Sequence, residues 1–139
     1  MAVAAINLNI VSTNEMLFSG LVKSVQVRAE EGEMGVYLGH IPLLTTIKPG
    51  LVKLVKNNEE VEAFYLSGGI LEVQPDNVNI LADVAIRGEE LDKQAALKAK
   101  SEAENMIKDG ALFDKGVAAL EQAVAQLRVI EFIKDIRKN

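Results

Sequence analysis

Apolar residues alternate with polar ones along the first part of the chain. Ile6, Leu8 and Ile10 alternate with Asn7, Asn9 and Val11, and Val25 and Val27 with Ser24, Gln26 and Arg28. Val52 and Leu54 stand among Lys53 and Lys56, and Val78, Ile80 and Ala82 alternate with Asn77, Asn79 and Asp83. Successive side chains of a strand point to opposite faces, so a period of two predicts strands with one buried and one wet face. Turn-forming runs separate them: Asn57-Asn58-Glu59-Glu60, Ser67-Gly68-Gly69 and Pro75-Asp76-Asn77. Many short strands of this kind predict an antiparallel sandwich or flattened barrel.

The period changes near Arg87-Gly88. Residues 1–88 hold eight of the ten glycines and all three prolines, and the remainder is rich in Ala, Lys, Glu and Leu. The shift predicts two domains, 1–87 and 88–139. The second reads as two helices, from about Glu89 to Lys108 and from about Leu112 to Lys138, some 30 and 40 Å long at 1.5 Å per residue. Glu89, Glu90 and Asp92 fall in the first turn and Lys108 in the last, which suits the helix dipole, and Asp109-Gly110 supplies a stop. The inner stripe of the first helix is small: Ala95 or Ala96, Ala99 and Ala103, then Met106 and Ile107. On the second, Phe113, Val117, Leu120, Val124 and Leu127 form one apolar seam. Alanines facing that seam would allow close antiparallel packing. Beyond Leu127 the apolar residues Val129, Ile130, Phe132, Ile133 and Ile136 wrap around more than one face, with Arg128, Lys134, Arg137 and Lys138 between them. That surplus is expected to contact the sandwich or another protein.

Composition narrows the possibilities. Apolar residues make up 49%, enough for a substantial core, and the net charge of −5 argues against a nucleic-acid surface. Without cysteine there are no disulfides or thiolate metal sites. No apolar run approaches the ~20 residues that cross a bilayer, so membrane association is expected only through partners. Met1-Ala2-Val3-Ala4-Ala5 has no basic stretch before an apolar one, so no signal peptide is expected, and the lack of a transit peptide points to a bacterial source.

A search for catalytic chemistry assembles no constellation. His40 is the only histidine, so no His-His metal pair exists. Ser12, Ser19, Ser24, Ser67 and Ser101 all lie outside a nucleophile-elbow motif, and Ser67-Gly68-Gly69 reads as a bulge or tight turn. Residues 32–50 concentrate four glycines, two prolines and His40. Gly32, Gly35 and Gly39 lack the Gly-Lys-Ser/Thr ending and following helix of a phosphate loop, so they read as corners between strands. His40 is either a polar corner residue bonded to backbone or a partner contact, and Glu30, Glu31 and Glu33 are either a solvated tip or a contact to a basic partner.

Three runs carry a resemblance. Glu31-Gly32-Glu33-Met34-Gly35-Val36-Tyr37-Leu38-Gly39-His40-Ile41-Pro42-Leu43-Leu44, with Lys48-Pro49-Gly50, resembles the signature of the epsilon subunit of F-type ATP synthases. So do Tyr65-Leu66-Ser67-Gly68-Gly69-Ile70-Leu71-Glu72-Val73-Gln74-Pro75, with Val78 to Asp83 after it, and Ala125-Gln126-Leu127-Arg128-Val129-Ile130-Glu131. They occur in order across essentially the whole chain. The resemblance implies an α+β protein: an N-terminal antiparallel β-sandwich of about ten strands, then a C-terminal antiparallel α-helical hairpin.

The resemblance also implies a role. The chain would be a non-catalytic rotor subunit of the central stalk, without cofactor or metal, at the cytoplasmic face of the bacterial inner membrane. It would couple proton-driven c-ring rotation to ATP synthesis. Glu31, Gly32 and Glu33 would meet the polar loops of the c-ring, whose residues there are usually basic. His40, Ile41 and Pro42 would meet the gamma subunit. The hairpin would extend along gamma toward the alpha and beta subunits and inhibit ATP hydrolysis, with Arg128, Lys134, Arg137 and Lys138 meeting acidic segments.

Other readings are a cupin-like enzyme, for which one histidine is too few, and a free-standing nucleotide-sensing module. Some members of the family bind ATP on the folded hairpin through an Ile/Leu-Asp-x-x-Arg-Ala element and arginines of the second helix. Here that element reads Leu91-Asp92-Lys93-Gln94-Ala95-Ala96, which keeps Asp92 and Arg128 but places Ala95 where the arginine stands. Without that guanidinium, ATP binding is expected to be weak or absent. Calorimetry of the isolated chain should detect no ATP binding at micromolar affinity.

Overall fold

The computed structural model describes residues 5–137. Met1 to Ala4, where no signal peptide is expected, and Lys138, expected to end the second helix and join the inhibitory set, lie outside the described residues. Nine strands precede the helices: β1 (Ile6–Ser12), β2 (Met16–Ala29), β3 (Gly32–Val36), β4 (Leu43–Ile47), β5 (Gly50–Lys56), β6 (Val61–Leu66), β7 (Gly69–Val73), β8 (Asn77–Ala82) and β9 (Ala85–Arg87).

The long β2 joins the two layers of the sandwich. Its first part pairs with β1 (Ile6 opposite Val22), its middle with β5 (Val25 opposite Leu54), and its end with β3 (Val27 opposite Met34) and β4 (Ala29 opposite Ile47). A register shift between Val22 and Ser24 marks where it passes from one layer to the other. One layer is β1-β8-β7-β4, the other β3, the end of β2, β5, β6 and β9. The sandwich is antiparallel except between β1 and β8, which run parallel with Leu8 opposite Val78. No hairpin links those two strands in sequence, so nothing forces them to alternate direction.

The alternating positions fill the interior. Ile6, Leu8, Ile10, Val25, Val27, Val52, Leu54, Val78, Ile80 and Ala82 are all buried between the layers. Phe18 meets Phe64 edge to face, ring centroids 6.4 Å apart. In β6 the residues Ala63, Phe64, Tyr65 and Leu66 are buried in succession. Phe64 and Leu66 point into the sandwich, while Ala63 and Tyr65 join a second cluster with Ala125, Val129 and Ile133.

That second cluster belongs to the helices, α1 (Lys93–Asp109) and α2 (Phe113–Arg137). α1 begins four residues later than the sequence predicts. Glu89 and Glu90 belong to a 3-10 turn, Gly88–Glu90, and Asp92 is the N-cap, its carboxylate accepting from the N–H groups of Gln94 and Ala95. Gly110, with φ of 74°, ends the helix at the expected place. α2 packs on β5, β6 and the 3-10 turn, and α1 packs principally on α2. Val129 and Ile133 therefore supply the sandwich contact expected of the apolar surplus.

The helix pairing departs from the expected seam. Phe113 and Val117 are 51% and 43% exposed, and Ala99 is exposed on α1. The close contact uses small residues on both helices: Ala96 and Ala103 on α1, Gly116 and Ala123 on α2 are buried. A Cβ at Gly116 would stand 3.0 Å from the Ala103 carbonyl oxygen and 2.9 Å from the Ile107 nitrogen. Small side chains bring the helix axes close, which pushes the bulkier seam residues to the sides of the contact, where Val117, Leu120 and Val124 edge a groove toward Arg28.

Gly88 stands where sandwich and hairpin meet. A Cβ there would lie 2.9 Å from the Ala63 carbonyl oxygen and 3.0 Å from the Ile133 side chain. Gly88→Ala should displace α2 and destabilise its seat by about 1–3 kcal/mol, the usual range for overpacking. Hydrogen exchange should show faster exchange at residues 125–133 with β1 and β8 unchanged; unaltered protection in α2 would contradict the close fit.

Candidate functional site

The acidic tip is the turn between β2 and β3. Gly32 takes φ of 130°, a conformation L side chains rarely adopt, and so closes the turn while Glu31 and Glu33 remain exposed. Glu30 is tied back to β4: its N–H donates to the Thr46 carbonyl at 3.0 Å, and its carboxylate accepts from the Thr46 hydroxyl at 2.7 Å. The tip is thus anchored on its core side.

His40 faces the same cleft. A volume of about 460 Å³ is lined by Glu31, Gly32, Glu33, His40, Leu43 and Leu44 among others. The structure thereby brings together the tip residues and His40, eight positions or so apart in sequence. His40 is half-buried, its Nδ1 2.7 Å from the Ile41 carbonyl oxygen, to which it donates. Its N–H donates to Tyr37, and the Gly39 N–H donates to Pro75 at 2.7 Å. These bonds fit the polar-corner role. Ile41, 75% exposed, and Pro42, exposed beside it, leave an apolar edge free for contact.

Beyond that edge lies a surface the sequence pattern did not reveal. On the outer face of β1-β8-β7-β4, Leu44, Ile70 and Leu81 are 71%, 47% and 53% exposed. With Val11, Asn9, Glu72 and Asn79 they line a groove of about 360 Å³. In cross-strand register, Ile70 stands opposite Leu81, which stands opposite Val11, which stands opposite Met16. One apolar row therefore crosses four strands. The signal in the sequence was the apolar residue at each nominally wet position, and it needed the strand register to become a patch.

The basic residues of α2 are spread around the hairpin's seat. Arg137 pairs with Glu89 at 3.6 Å, and Lys134 lines a cavity of about 250 Å³ with Gly88, Glu89, Leu91, Ile130 and Ile133. Arg128 is exposed and lines two grooves, one toward Arg28 and one toward Leu51, Lys100 and Phe132. Asp92 lines neither, and its carboxylate is committed to the helix cap at 2.9 and 3.2 Å. The two expected nucleotide-binding residues do not share either groove. Under α2, burial pushes the Tyr65 phenol above its ordinary pKa and the Gln126 side chain pulls it partly back. The Lys53 ammonium lies 5.7 Å from the centre of the Phe132 ring.

Ser67 is structural: its N–H donates to the Val84 carbonyl and its hydroxyl accepts from the Val84 N–H, both at 3.0 Å, closing the corner between β6 and β7. Among the described residues no group of three or more His, Asp or Glu side chains is arranged to hold a metal ion, and no helix is long and apolar enough to cross a membrane.

Comparison with known proteins follows the same architecture. Residues 5–88 match the family model for the ATP synthase delta/epsilon chain, beta-sandwich domain. A chain of the Euglena gracilis mitochondrial ATP synthase, in a structure of its OSCP, F1 and c-ring, is 27% identical with a TM-score of 0.84 over 91% of this chain and 82% of that one. A chain from the central stalk and c-ring of the Tetrahymena thermophila mitochondrial ATP synthase shares the fold at 15% identity and a TM-score of 0.53, over 79% of this chain and 94% of that one.

The cap at Asp92 separates two roles for its carboxylate. Because Asn caps as well as Asp, Asp92→Asn should leave α1 intact while Asp92→Ala destabilises it by about 1 kcal/mol. Amide exchange in the first turn of α1 reads the difference; equal protection in both variants would remove the capping role.

Proposed function

The chain belongs to the ATP synthase delta/epsilon family, and from that premise we propose that it is the epsilon subunit of an F-type ATP synthase, a non-catalytic member of the rotor stalk. What supports this most directly is the exposed apolar face of β1-β8-β7-β4. A lone protein rarely leaves a row such as Ile70, Leu81 and Met16 open to water beside Leu44. That face, continued by His40, Ile41 and Pro42, receives gamma. The other outer face, at β5 and β6, is already covered by α2.

The tip at Glu31, Gly32 and Glu33 rests on the c-ring. Two exposed carboxylates on a turn tied to β4 suit the basic polar loops that the sequence resemblance implies. Exposed ion pairs contribute only about 0.2–1 kcal/mol each, so the tip sets orientation while the apolar face supplies most of the hold. Rotation of the c-ring then passes through the sandwich to gamma, which couples it to ATP synthesis. The protein is peripheral and meets the inner membrane at its cytoplasmic face only as part of the complex.

The hairpin, residues 88–139, regulates. Its seat on the sandwich contains two large aliphatic side chains, Val129 and Ile133, at roughly 1.5–3 kcal/mol each. Around them stand Ala63, Tyr65 and Ala125, with Leu51, Ile86, Leu91 and Phe132 only partly buried, and the exposed Arg137–Glu89 pair adds little. A partner surface offering similar burial could replace those contacts, leaving docked and extended states within a few kcal/mol of each other. Extended, α2 would present Arg128, Lys134 and Arg137 to acidic segments of the alpha and beta subunits and block hydrolysis. Asp92 remains a helix cap in either state, and with Ala95 in place of the arginine, nucleotide is not the switch.

Truncation after Leu127 removes Val129, Ile133 and the basic residues but leaves the gamma-facing sandwich whole. The truncated chain should still copurify with gamma, and ATP hydrolysis by the complex should rise several-fold. Unchanged hydrolysis would overturn the inhibitory role, and loss of gamma from the preparation would overturn the division of labour between the two halves.

A further inference from the structure

A polar row lies beside the apolar one on the open face. Ser19, Asn9, Asn79 and Glu72 stand opposite one another on β2, β1, β8 and β7. Across three strand spacings the row is about 14 Å long. Its side chains are bonded end to end. The Ser19 hydroxyl donates to Asn9 Oδ1 at 2.8 Å, Asn9 Nδ2 to Asn79 Oδ1 at 3.0 Å, and Asn79 Nδ2 to Glu72 Oε1 at 3.0 Å. A carboxylate only accepts, so Asn79 must turn its amide nitrogen to Glu72 and its oxygen to Asn9; the same condition then passes along to Ser19. The row holds one Glu72 oxygen in place from three strands away. Among the described residues the other oxygen has no hydrogen bond and no ion pair, and Glu72 is the only charged residue lining the groove.

We infer that Glu72 is the selective anchor of this face, and that the partner surface is an apolar ridge carrying one arginine or lysine positioned to meet it. This rests on the reading of the face as the gamma-binding surface. A partner that covers Leu44, Ile70 and Leu81 also strips water from the carboxylate between them. Burying that charge without a counter-charge costs more than a neighbouring apolar contact returns. An apolar surface without a cation is thus rejected, and one with a cation in the right place is held. The fixed carboxylate favours arginine, whose planar fork loses less freedom on pairing than a lysine chain. The same device explains how an apolar surface this open avoids indiscriminate association.

The full-length chain is titrated into the gamma-containing stalk complex stripped of this subunit, at low and at high salt. Glu72→Gln should weaken binding about tenfold at low salt and clearly less at high salt, because the ion pair is lost while shape is kept. Glu72→Lys should weaken it further, and Leu81→Asp should weaken it more than a hundredfold. Both positions are on the surface, and thermal melts of all three variants should match the unaltered chain. If Glu72→Gln binds as tightly as the unaltered chain, or loses affinity equally at both salts, the anchor is overturned while a weakened Leu81→Asp keeps the face. If Leu81→Asp binds normally, gamma sits elsewhere and both fall.

Discussion

Strand β2 is the constraint on which the rest of the molecule depends. Its fourteen residues pair in turn with β1, β5, β3 and β4, so one continuous backbone closes the two layers around the core of Ile6, Leu8, Val25, Leu54 and Ile80. Because closure leaves two outer faces, what happens to each decides what the protein can do. The face at β5 and β6 is covered from within the chain by α2. The face at β1-β8-β7-β4 stays open, and the turn at the end of β2 carries the exposed acidic residues.

Large and small side chains divide along the same line. Inside the sandwich, the buried positions are mostly branched aliphatics, with Phe64 among them, at roughly 1.5–3 kcal/mol for each large side chain. Between the two helices they are Ala96, Ala103, Gly116 and Ala123, which allow close approach but bury little area, and only Val129 and Ile133 add large buried side chains where α2 meets the sandwich. The steric fit at Gly88, between Ala63 and Ile133, is tight without being strong. A rotor element has to carry torque through parts that do not yield, whereas a regulatory arm has to leave its seat at modest cost. On the proposed reading, the distribution of side-chain size supplies both within 139 residues.

β1, the middle of β2, β5 and β8 were legible in the sequence because each repeats a two-residue period over a buried face; Ile6, Leu8 and Ile10 sit where alternation puts them, whereas β6, buried at four successive residues, has no such period. The helix stop at Gly110 was legible because a glycine follows the last periodic residues and can take the positive φ that ends a helix. The helix start was not. Glu89, Glu90 and Asp92 all look like first-turn acids, but only the tertiary path from β9 shows that two of them belong to a 3-10 turn and the third to the cap. The seam of Phe113, Val117 and Leu120 misled because periodicity reports which residues share a face and says nothing about which face wins the contact. Gly116 and Ala123 won it, since backbone proximity buries the whole contact strip while a bulky seam would hold the helices apart. The acidic tip and His40 were legible as chemistry, though their sharing of one cleft was not.

The open face was invisible for a related reason. Val11, Ile70 and Leu81 lie far apart in the chain, each a lone exception in its own strand, and a lone exposed apolar residue carries no information. Register turns three exceptions into one row and turns Asn9, Asn79 and Glu72 into another. The two rows limit each other. Apolar area alone would bind any greasy surface, and the carboxylate alone would bind any cation weakly through water. Placed side by side, they require a partner to satisfy both at once, because covering the first row dries out the second. Selectivity on this face therefore comes from geometry that only the folded sheet creates, at positions whose individual identities look unremarked along the chain.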